Sequence, residues 1–289
     1  MSESSKSGSL ILKLHCPDQV GIVAAVSGYL ADAGYNIRRS YQFEDDETKT
    51  FFMRTTVDPQ PNSAIRPTLE AGFAAIAERF QMTWGLHDPA RKTRMLPLVS
   101  KFGHCLNDLL YRWRSGLLPV DIPAIVSNHK EFEELAKWHG LPFHYLPVDK
   151  TNKAAQEAAL IDLIDQYKID LVVLARYMQV LSPELCERLR GRCINIHHSF
   201  LPSFKGAQPY SQAFNRGVKL IGATAHYVTP DLDEGQIIEQ AVERVDHTFT
   251  IDQLSALGRD IESVVLARAV QFHAEHRVTI NGHKTVVFW

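Results

Sequence analysis

The side chains best suited to chemistry lie in the stretch 193–210, which reads CINIHHSFLPSFKGAQPY. Its apolar start is typical of a strand end. Asn195 and His197 lie two residues apart, so both side chains point to one face of an extended chain, while His198 points to the other. An irregular loop punctuated by proline and glycine follows. An Asn amide and a protonated His are donors that stabilise negative charge developing on a carbonyl oxygen. The stretch is therefore predicted to bind an oxyanion.

A carboxylate partner is available in the acidic loop 229–235, TPDLDEG, which follows His226. A carboxylate can orient or deprotonate an attacking water and can raise the pKa of a neighbouring His. Taken singly, these residues have simpler interpretations: a strand-end Asn is usually a cap, a lone His is usually structural, and Asp231 and Glu234 belong to a solvated loop. Metal binding by the histidines and Asp233 is the other alternative. No His-x-His or Glu-x-x-His arrangement supports it, so no metal is expected.

The elements that must position these residues form an α/β pattern. In the longer C-terminal part of the chain, short apolar runs alternate with helical patterns, which predicts right-handed crossovers and a mostly parallel, Rossmann-like sheet. Ligands bind beyond the carboxyl ends of the strands in such sheets, which predicts one cleft lined by 100–104, 176–181 and 195–206. Asn281–Gly282 predicts a C-terminal hairpin. Two antiparallel strands and this hairpin are expected to make the sheet mixed.

The first part of the chain has the pattern of a smaller domain. Alternating leucines from Leu10 onward predict a half-buried strand, and two helical patterns separated by further strands follow. The predicted order is βαββαβ, a ferredoxin-like arrangement. A polar stretch with a proline, 89–94, is interpreted as a linker. The predicted domains are therefore 8–88 and 95–289.

Composition excludes several classes of function. The chain has 289 residues and a net charge of −2 without a basic tail, which disfavours nucleic acid as a partner. No apolar stretch has the length of a membrane helix and the N-terminus lacks a signal-peptide core, so we expect a cytoplasmic protein that does not bind membranes. The four cysteines lack the spacing of zinc ligands. The loop SKFGHCLND, 100–108, is not a glycine-rich phosphate loop, which disfavours nucleotides.

The stretch 16–37, CPDQVGIVAAVSGYLADAGYNI, resembles the start of an ACT domain. The resemblance implies a regulatory module that pairs into a homo-oligomer and binds a small amino acid as effector. The effector contacts of such domains fall at Asp18, Gly21 and Asn36 of this chain. These residues also have structural interpretations: Asp18 caps a helix or stabilises the turn, Gly21 permits the turn, and Asn36 satisfies a loop backbone.

Three features together resemble the folate-dependent formyltransferase family over residues 94–289: Asn195 with His197, the loop 201–206 (LPSFKG), and His226 ahead of DLDEG. The resemblance implies that Asn195, His197 and Asp233 form the active site. It also implies that loops after two strands line the folate pocket. These pocket residues are Tyr177, Met178, Gln179, Val180, Leu181 and Val228. Ordinary core packing is the alternative interpretation of Met178.

The acceptor of the formyl group is the remaining question. His198 stands where transferases of the family commonly carry proline, and Phe102, His104 and His198 are expected to fill the space of an acceptor amine. With the ACT-like domain, this implies that water is the acceptor. The implied reaction is hydrolysis of 10-formyltetrahydrofolate to tetrahydrofolate and formate, which balances one-carbon pools and supplies formate for purine synthesis. The folate is then a substrate, and no permanently bound cofactor is expected. A formyltransferase with an unidentified amine acceptor and a non-catalytic folate or amino-acid sensor are the alternatives.

Overall fold

The computed structural model describes residues 8–149, 151–201 and 209–289. Most of the predicted motif LPSFKG therefore lies outside the described residues. The chain divides into two compact units. The second unit comprises residues 92–274 and 280–285, and the segments 275–279 and 286–289 group with the N-terminal part of the chain. The boundaries expected from the sequence stay a prediction.

The first unit has the predicted βαββαβ order. Its elements are β1 (Leu10–Pro17), α1 (Ile22–Asp32), β2 (Tyr35–Asp45), β3 (Thr50–Pro59), α2 (Arg66–Arg79) and β4 (Thr83–His87). The strands form one sheet in the order β2-β3-β1-β4, and all three pairings are antiparallel. The alternating Leu10, Leu12 and Leu14 are buried in one core with the apolar faces of both helices. The ferredoxin-like fold predicted for this region is confirmed.

Two hydrogen bonds show why a C-terminal segment groups with this unit. The Nζ of Lys13 donates to the carbonyl oxygen of Val278 at 2.9 Å, and Nη2 of Arg54 donates to that of Glu275 at 2.9 Å. Burial and the charge of Arg54 lower the pKa of Lys13 to about 8. Long polar side chains of β1 and β3 thus donate hydrogen bonds to backbone carbonyls of the C-terminal segment. The periodicity of the sequence does not predict these contacts.

The second unit is an α/β domain. Its elements, in chain order, are β5 (Thr93–Val99), α3 (His104–Arg114), β6 (Val120–Asp121), β7 (Ile125–Ser127), α4 (Glu133–Trp138), β8 (Phe143–Tyr145), α5 (Lys153–Gln166), β9 (Leu171–Leu174), α6 (Pro183–Arg188), β10 (Cys193–His197), α7 (Pro209–Arg216), β11 (Leu220–Tyr227), β12 (Ile237–Arg244), α8 (Ile251–Ala274), β13 (Val278–Asn281) and β14 (Lys284–Val287). Parts of β13 and β14, residues 278–279 and 286–287, group with the first unit.

The large sheet has the order β12-β11-β10-β9-β5-β7-β8, and β6 pairs with β5. The pairings from β10 through β9, β5 and β7 to β8 are parallel, whereas β10–β11 and β11–β12 are antiparallel. The mostly parallel sheet predicted from the sequence is confirmed. The expected contribution of the hairpin to it is wrong, because β13 and β14 form a separate two-stranded sheet. Only β11 and β12 make the large sheet mixed.

Burial explains the central strands. All four residues of β9 are buried, as are all residues of β11 except its first, so both strands pack on both faces. The helix α8 is 24 residues long and buries one apolar face. Among the described residues, no helix combines the length and the apolar character that crossing a membrane requires.

Candidate active site

The register of β10 and β11 builds the core of the site. Asn195 is paired directly with His226, and directly paired residues share a face of the sheet, as do residues two apart along one strand. Asn195, His197 and His226 therefore project to the same face. The Nδ2 of Asn195 lies 3.3 Å from Nε2 of His226. The other ring nitrogen of His226, Nδ1, lies 2.8 Å from the carbonyl oxygen of Tyr227 and can donate to it. The amide of Asn195 carries two hydrogens, and at least one of them remains available to a ligand.

Asp233 lies between the two histidines. One carboxylate oxygen, Oδ2, is 3.3 Å from Nδ1 of His197, and the other, Oδ1, is 3.6 Å from Nε2 of His226. Burial alone raises the pKa of the Asp233 carboxyl, but hydrogen bonds and positive charge from His197 and His226 outweigh it and hold the pKa well below its usual range. Asp233 is therefore a carboxylate at neutral pH. It can orient the ring of His197.

The acidic loop reaches this position through an unusual backbone. Asp233 has a φ of 58°, in the left-handed region that few residues other than glycine, asparagine and aspartate occupy. Two residues later, a Cβ on Gly235 would lie 1.7 Å from the carbonyl oxygen of Tyr227. The absence of a side chain at Gly235 therefore lets the loop pass against the end of β11. This close approach carries Asp233 back to His197.

A cavity of about 540 Å³ opens at this face, a volume within the usual range for small-molecule sites. Every residue that the sequence placed in the site of this domain lines the cavity. They are Phe102, His104, Tyr177, Met178, Gln179, Val180, Leu181, Asn195, His197, His198, Val228 and Asp233. The side chain of Met178 is 54% exposed, so ordinary core packing is the wrong interpretation of this residue.

The loop 176–181 is tied to the sheet by Ser100, at the end of β5. The backbone N–H of Met178 donates to Ser100 Oγ at 3.0 Å, and Ser100 Oγ donates to Asn128 Oδ1 at 2.7 Å. Tyr177 is buried, and its hydroxyl accepts a hydrogen bond from Gln156 at 3.0 Å. The loop is thus anchored at both its backbone and its buried tyrosine, while Met178 and its neighbours face the cavity.

His198 does not point away from His197 in the manner expected from the sequence. Both residues line the same cavity, and their ring centroids are 5.0 Å apart with an interplanar angle of 73°. The physical reason is that β10 ends at His197, so strand alternation does not extend to His198. Burial, together with the charges of Arg176 and His197, lowers the pKa of His198 to about 4. His198 is therefore neutral at neutral pH.

Sequence reasoning missed a buried carboxylate that lines the same cavity. The side chain of Glu262, on α8, is 1% exposed and makes three polar contacts. Its Oε2 lies 2.7 Å from His104 Nε2 and 3.4 Å from Arg176 Nε, and its Oε1 accepts a 2.6 Å hydrogen bond from the Tyr210 hydroxyl. Burial raises the pKa of Glu262, but the hydrogen bond from His104 and the charge of Arg176 outweigh it and leave the pKa below its ordinary value. Glu262 is therefore a carboxylate, and it connects α8 to the segments that carry His104, Arg176 and Tyr210.

The position of Glu262 in the helical pattern of α8 could have indicated a buried carboxylate. The apolar face of α8 buries Leu254, Ile261 and Val265, and Glu262 is buried with them. An acidic residue on the buried face of an amphipathic helix is rare without a partner. Its partners come from distant parts of the chain, however, so the pattern indicates a polar cluster and does not identify it.

One group of three possible metal ligands occurs among the described residues: His104, Cys105 and Glu262, whose ligand atoms lie within 4.8 Å of one another. Burial strongly raises the pKa of the Cys105 thiol, which disfavours the thiolate that a metal requires. The guanidinium of Arg176 also lies beside Glu262 and opposes a second cation. This donor set therefore does not fit a metal ion. The set considered from the sequence, His197, His198, His226 and Asp233, does not form such a group within the described part of the chain.

The three residues expected to contact an effector lie in the first unit. Asp18 and Gly21 are exposed in the turn between β1 and α1, and Gly21 has a φ of 98° at the helix start. No side chain caps α1, so helix capping is the wrong interpretation of Asp18. Asn36 is exposed within β2, opposite Asp58, so satisfying a loop backbone is the wrong interpretation of Asn36.

Comparison with known proteins agrees with this architecture. Residues 93–270 match the formyl transferase family, and residues 10–71 match the ACT domain. The chain is 48% identical to the formyltetrahydrofolate deformylase of Corynebacterium sp. (strain P-1), over 96% of this chain and 97% of that one.

Two solved structures of similar proteins extend the comparison. The formyltetrahydrofolate deformylase from Burkholderia mallei ATCC 23344 matches with a TM-score of 0.93 and 52% identity, covering 98% of this chain and 100% of that one. That from Pseudomonas syringae pv. tomato str. DC3000 has a TM-score of 0.95 and 44% identity, covering 99% and 96%. The fold and the site thus define an enzyme of the formyl transferase class. Within that class, the chain belongs to the formyltetrahydrofolate deformylase family.

Proposed function

We propose that the protein hydrolyses 10-formyltetrahydrofolate to tetrahydrofolate and formate. The observation that carries the proposal is the convergence of an amide, an imidazole and an ionised carboxylate, Asn195, His197 and Asp233, on one cavity of about 540 Å³. The names of the similar proteins agree with this reaction. The product formate would enter one-carbon metabolism and purine synthesis, and the location proposed for the enzyme is the cytoplasm.

The chemistry requires three functions. The formyl group on N10 is an amide-like carbonyl, so attack by water creates an oxyanion, and the C–N10 bond breaks only when N10 receives a proton. Asp233 orients the water and accepts its proton. Asn195 donates to the oxyanion, and loss of one such donor costs about 3–4 kcal/mol of transition-state stabilisation. Protonated His197 stabilises the oxyanion and delivers a proton to N10, and its contact with Asp233 at 3.3 Å orients its ring.

The rest of the cavity suits a pterin ring. Met178, Val180 and Leu181 line it on one loop and Val228 on another, and these apolar side chains can cover a flat heterocycle. Met178 and Val180 are 54% and 57% exposed in the absence of any ligand, so binding a ring here buries apolar surface. Backbone groups of the loop 176–181 can read the amide-like edge of the pterin.

The test is formate release in a buffer that contains no amine. Purified protein is mixed with 10-formyltetrahydrofolate, and formate and tetrahydrofolate are quantified, with the Asp233→Asn variant as the control for contaminating activity. We expect equal amounts of both products over many turnovers. A formyltransferase would release little formate until an amine is added, and a sensor would bind the folate without turnover. Either result would contradict the proposal.

We also propose that the ACT unit regulates the enzyme by pairing with a second copy and binding a small amino acid at Asp18, Gly21 and Asn36. Support comes from the match of residues 10–71 to the ACT domain and from the exposure of these three residues. Because two C-terminal segments group with this unit, the experiment uses the full chain and not an isolated ACT unit. Sedimentation and activity are measured with a panel of amino acids, using Asp18→Ala. A monomer, or a response that Asp18→Ala leaves unchanged, would contradict the proposal.

A further inference from the structure

Two consecutive histidines each leave a buried ring nitrogen unpaired in the cavity. Nε2 of His197 and Nδ1 of His198 are buried, and neither has a hydrogen-bond partner among the residues that the structure describes. A buried polar atom without a partner costs about 1–3 kcal/mol unless water or a ligand satisfies it. The oxyanion role proposed above employs His197. Nδ1 of His198 is left with no role in that mechanism.

The chemistry of His198 is that of a hydrogen-bond acceptor. Four charged or titratable residues face it: Arg176, His197, Glu262 and Asp233. Burial and the charges of Arg176 and His197 together outweigh the two carboxylates and keep the imidazole neutral at neutral pH. In the neutral tautomer that carries its proton on Nε2, Nδ1 of His198 has a lone pair that accepts a hydrogen bond from water. The cavity, at about 540 Å³, has room for such a water.

His198 lies close to His197, the residue proposed to bind the carbonyl oxygen of the formyl group. Its ring centroid lies 5.0 Å from that of His197, and the rings are nearly perpendicular. A carbonyl oxygen held by His197 and a water held by Nδ1 of His198 therefore share one part of the cavity.

The ring of His198 contacts a tyrosine that belongs to a buried polar network. The ring of Tyr210 contacts it edge-on, with centroids 6.4 Å apart, and the Tyr210 hydroxyl donates to Glu262 at 2.6 Å. The helix α8 makes room for this contact, because a Cβ on Gly258 would lie 2.1 Å from the Tyr210 hydroxyl oxygen. His104 and Arg176 hold the other oxygen of Glu262. The buried carboxylate thus determines where Tyr210, and through it His198, can lie.

We propose that His198 binds the attacking water through Nδ1, and that Tyr210 and Glu262 position its ring for this purpose. The inference rests on the proposed hydrolysis. In that step the water oxygen bonds to the formyl carbon, the C–N10 bond breaks, Asp233 takes the proton of the water, and N10 receives a proton from His197. His198 accepts a hydrogen bond and is not protonated.

The experiment compares His198→Ala with His198→Gln, whose amide oxygen can still accept a hydrogen bond, and with His283→Ala, an exposed histidine outside the cavity. Formate release from 10-formyltetrahydrofolate is measured at pH 7.5 with and without free imidazole. We expect His198→Ala to lower kcat about 100-fold with KM changed less than about threefold. Added imidazole should recover at least about a tenth of the lost rate. We expect His198→Gln to keep about a tenth of the activity and His283→Ala to keep all of it.

Two results would overturn the inference while the hydrolysis proposal stands. The first is a kcat of His198→Ala within about twofold of the unmodified enzyme. The second is a loss of activity that imidazole does not restore and that His198→Gln shares in full, because such a loss indicates a structural role. A failure of the unmodified enzyme itself to release formate has a different meaning: it refutes the proposed function, and this inference with it.

Discussion

At the scale of single residues, the site depends on how its charges are distributed. Asp233 is ionised because His197 and His226 stabilise its carboxylate, whereas His198, one residue from His197, is neutral because it is buried near a guanidinium. Neighbouring imidazoles in one cavity are thus assigned different tasks by their surroundings. His197 contacts the carboxylate of Asp233, whereas His198 remains neutral.

Replacing the proposed acid–base pair should affect turnover and leave binding almost unchanged. We expect Asp233→Asn and His197→Ala each to lower kcat by at least about 100-fold, because both act on charge that develops only in the transition state. The binding constant for tetrahydrofolate, measured by calorimetry, should change less than about threefold. Asp231→Asn, an exposed carboxylate of the same loop, is the matched control and should retain full activity. An active His197→Ala enzyme would contradict the assignment.

The neutral state of His198 also predicts how stability depends on pH. Its pKa is about 4 in the folded protein and about 6.5 in the unfolded chain, so between these values the unfolded state binds more protons. The free energy of unfolding therefore falls as pH decreases from 6.5 towards 4, and this one group can contribute up to about 3 kcal/mol of the loss. Urea unfolding midpoints measured from pH 4.5 to 7 should show this slope, and His198→Gln should flatten it. Equal slopes for the two proteins would contradict the assigned environment.

At the scale of elements, the fit between helices α7 and α8 connects packing to activity. Gly258 lies on the buried face of α8, where Tyr210 approaches so closely that no side chain fits between them. A glycine inside a helix costs about 1 kcal/mol relative to alanine. Its presence at this position is explained by the room that the Tyr210 hydroxyl needs to reach Glu262.

Alanine at Gly258 should therefore destabilise the protein despite its higher helix propensity. Forcing a methyl group into a filled space costs about 1–3 kcal/mol and should displace Tyr210 from Glu262, so we expect a lower melting temperature and about a tenfold lower kcat. Gly28, inside α1, is the matched control, because nothing lies within 4 Å of a Cβ at that position. Gly28→Ala should raise stability by about 0.5–1 kcal/mol with unchanged kcat. Thermal unfolding and formate release measure both effects, and similar behaviour of the two variants would refute this packing argument.

At the scale of the whole molecule, sequence patterns predicted what depends on local periodicity. The order of strands and helices followed from apolar spacing, and the gathering of the segments 100–104 and 176–181 near Asn195 followed from the rule that the carboxyl ends of parallel strands meet at one edge of a sheet. The cap of α6 by Ser182 was also predictable, because a serine before a proline is a strong helix start.

Other features were beyond prediction because they depend on contacts between distant residues. Glu262 meets His104 across more than 150 positions of sequence, and no spacing rule relates them. The direction of His198 depended on where β10 ends, and one residue decides which face a side chain takes. The grouping of 275–279 with the first unit depends on hydrogen bonds from Lys13 and Arg54 to backbone carbonyls, which leave no trace in apolar patterning.

Isotope labelling shows whether water is the acceptor of the formyl group. The enzyme is incubated with 10-formyltetrahydrofolate in amine-free buffer made with H₂¹⁸O, and the formate is analysed by mass spectrometry. Attack by water on the formyl carbon transfers a solvent oxygen to the product, so we predict at least one ¹⁸O atom in each formate, at a rate that Asp233→Asn reduces by at least about 100-fold. Unlabelled formate, or turnover that appears only after an amine is added, would contradict the account.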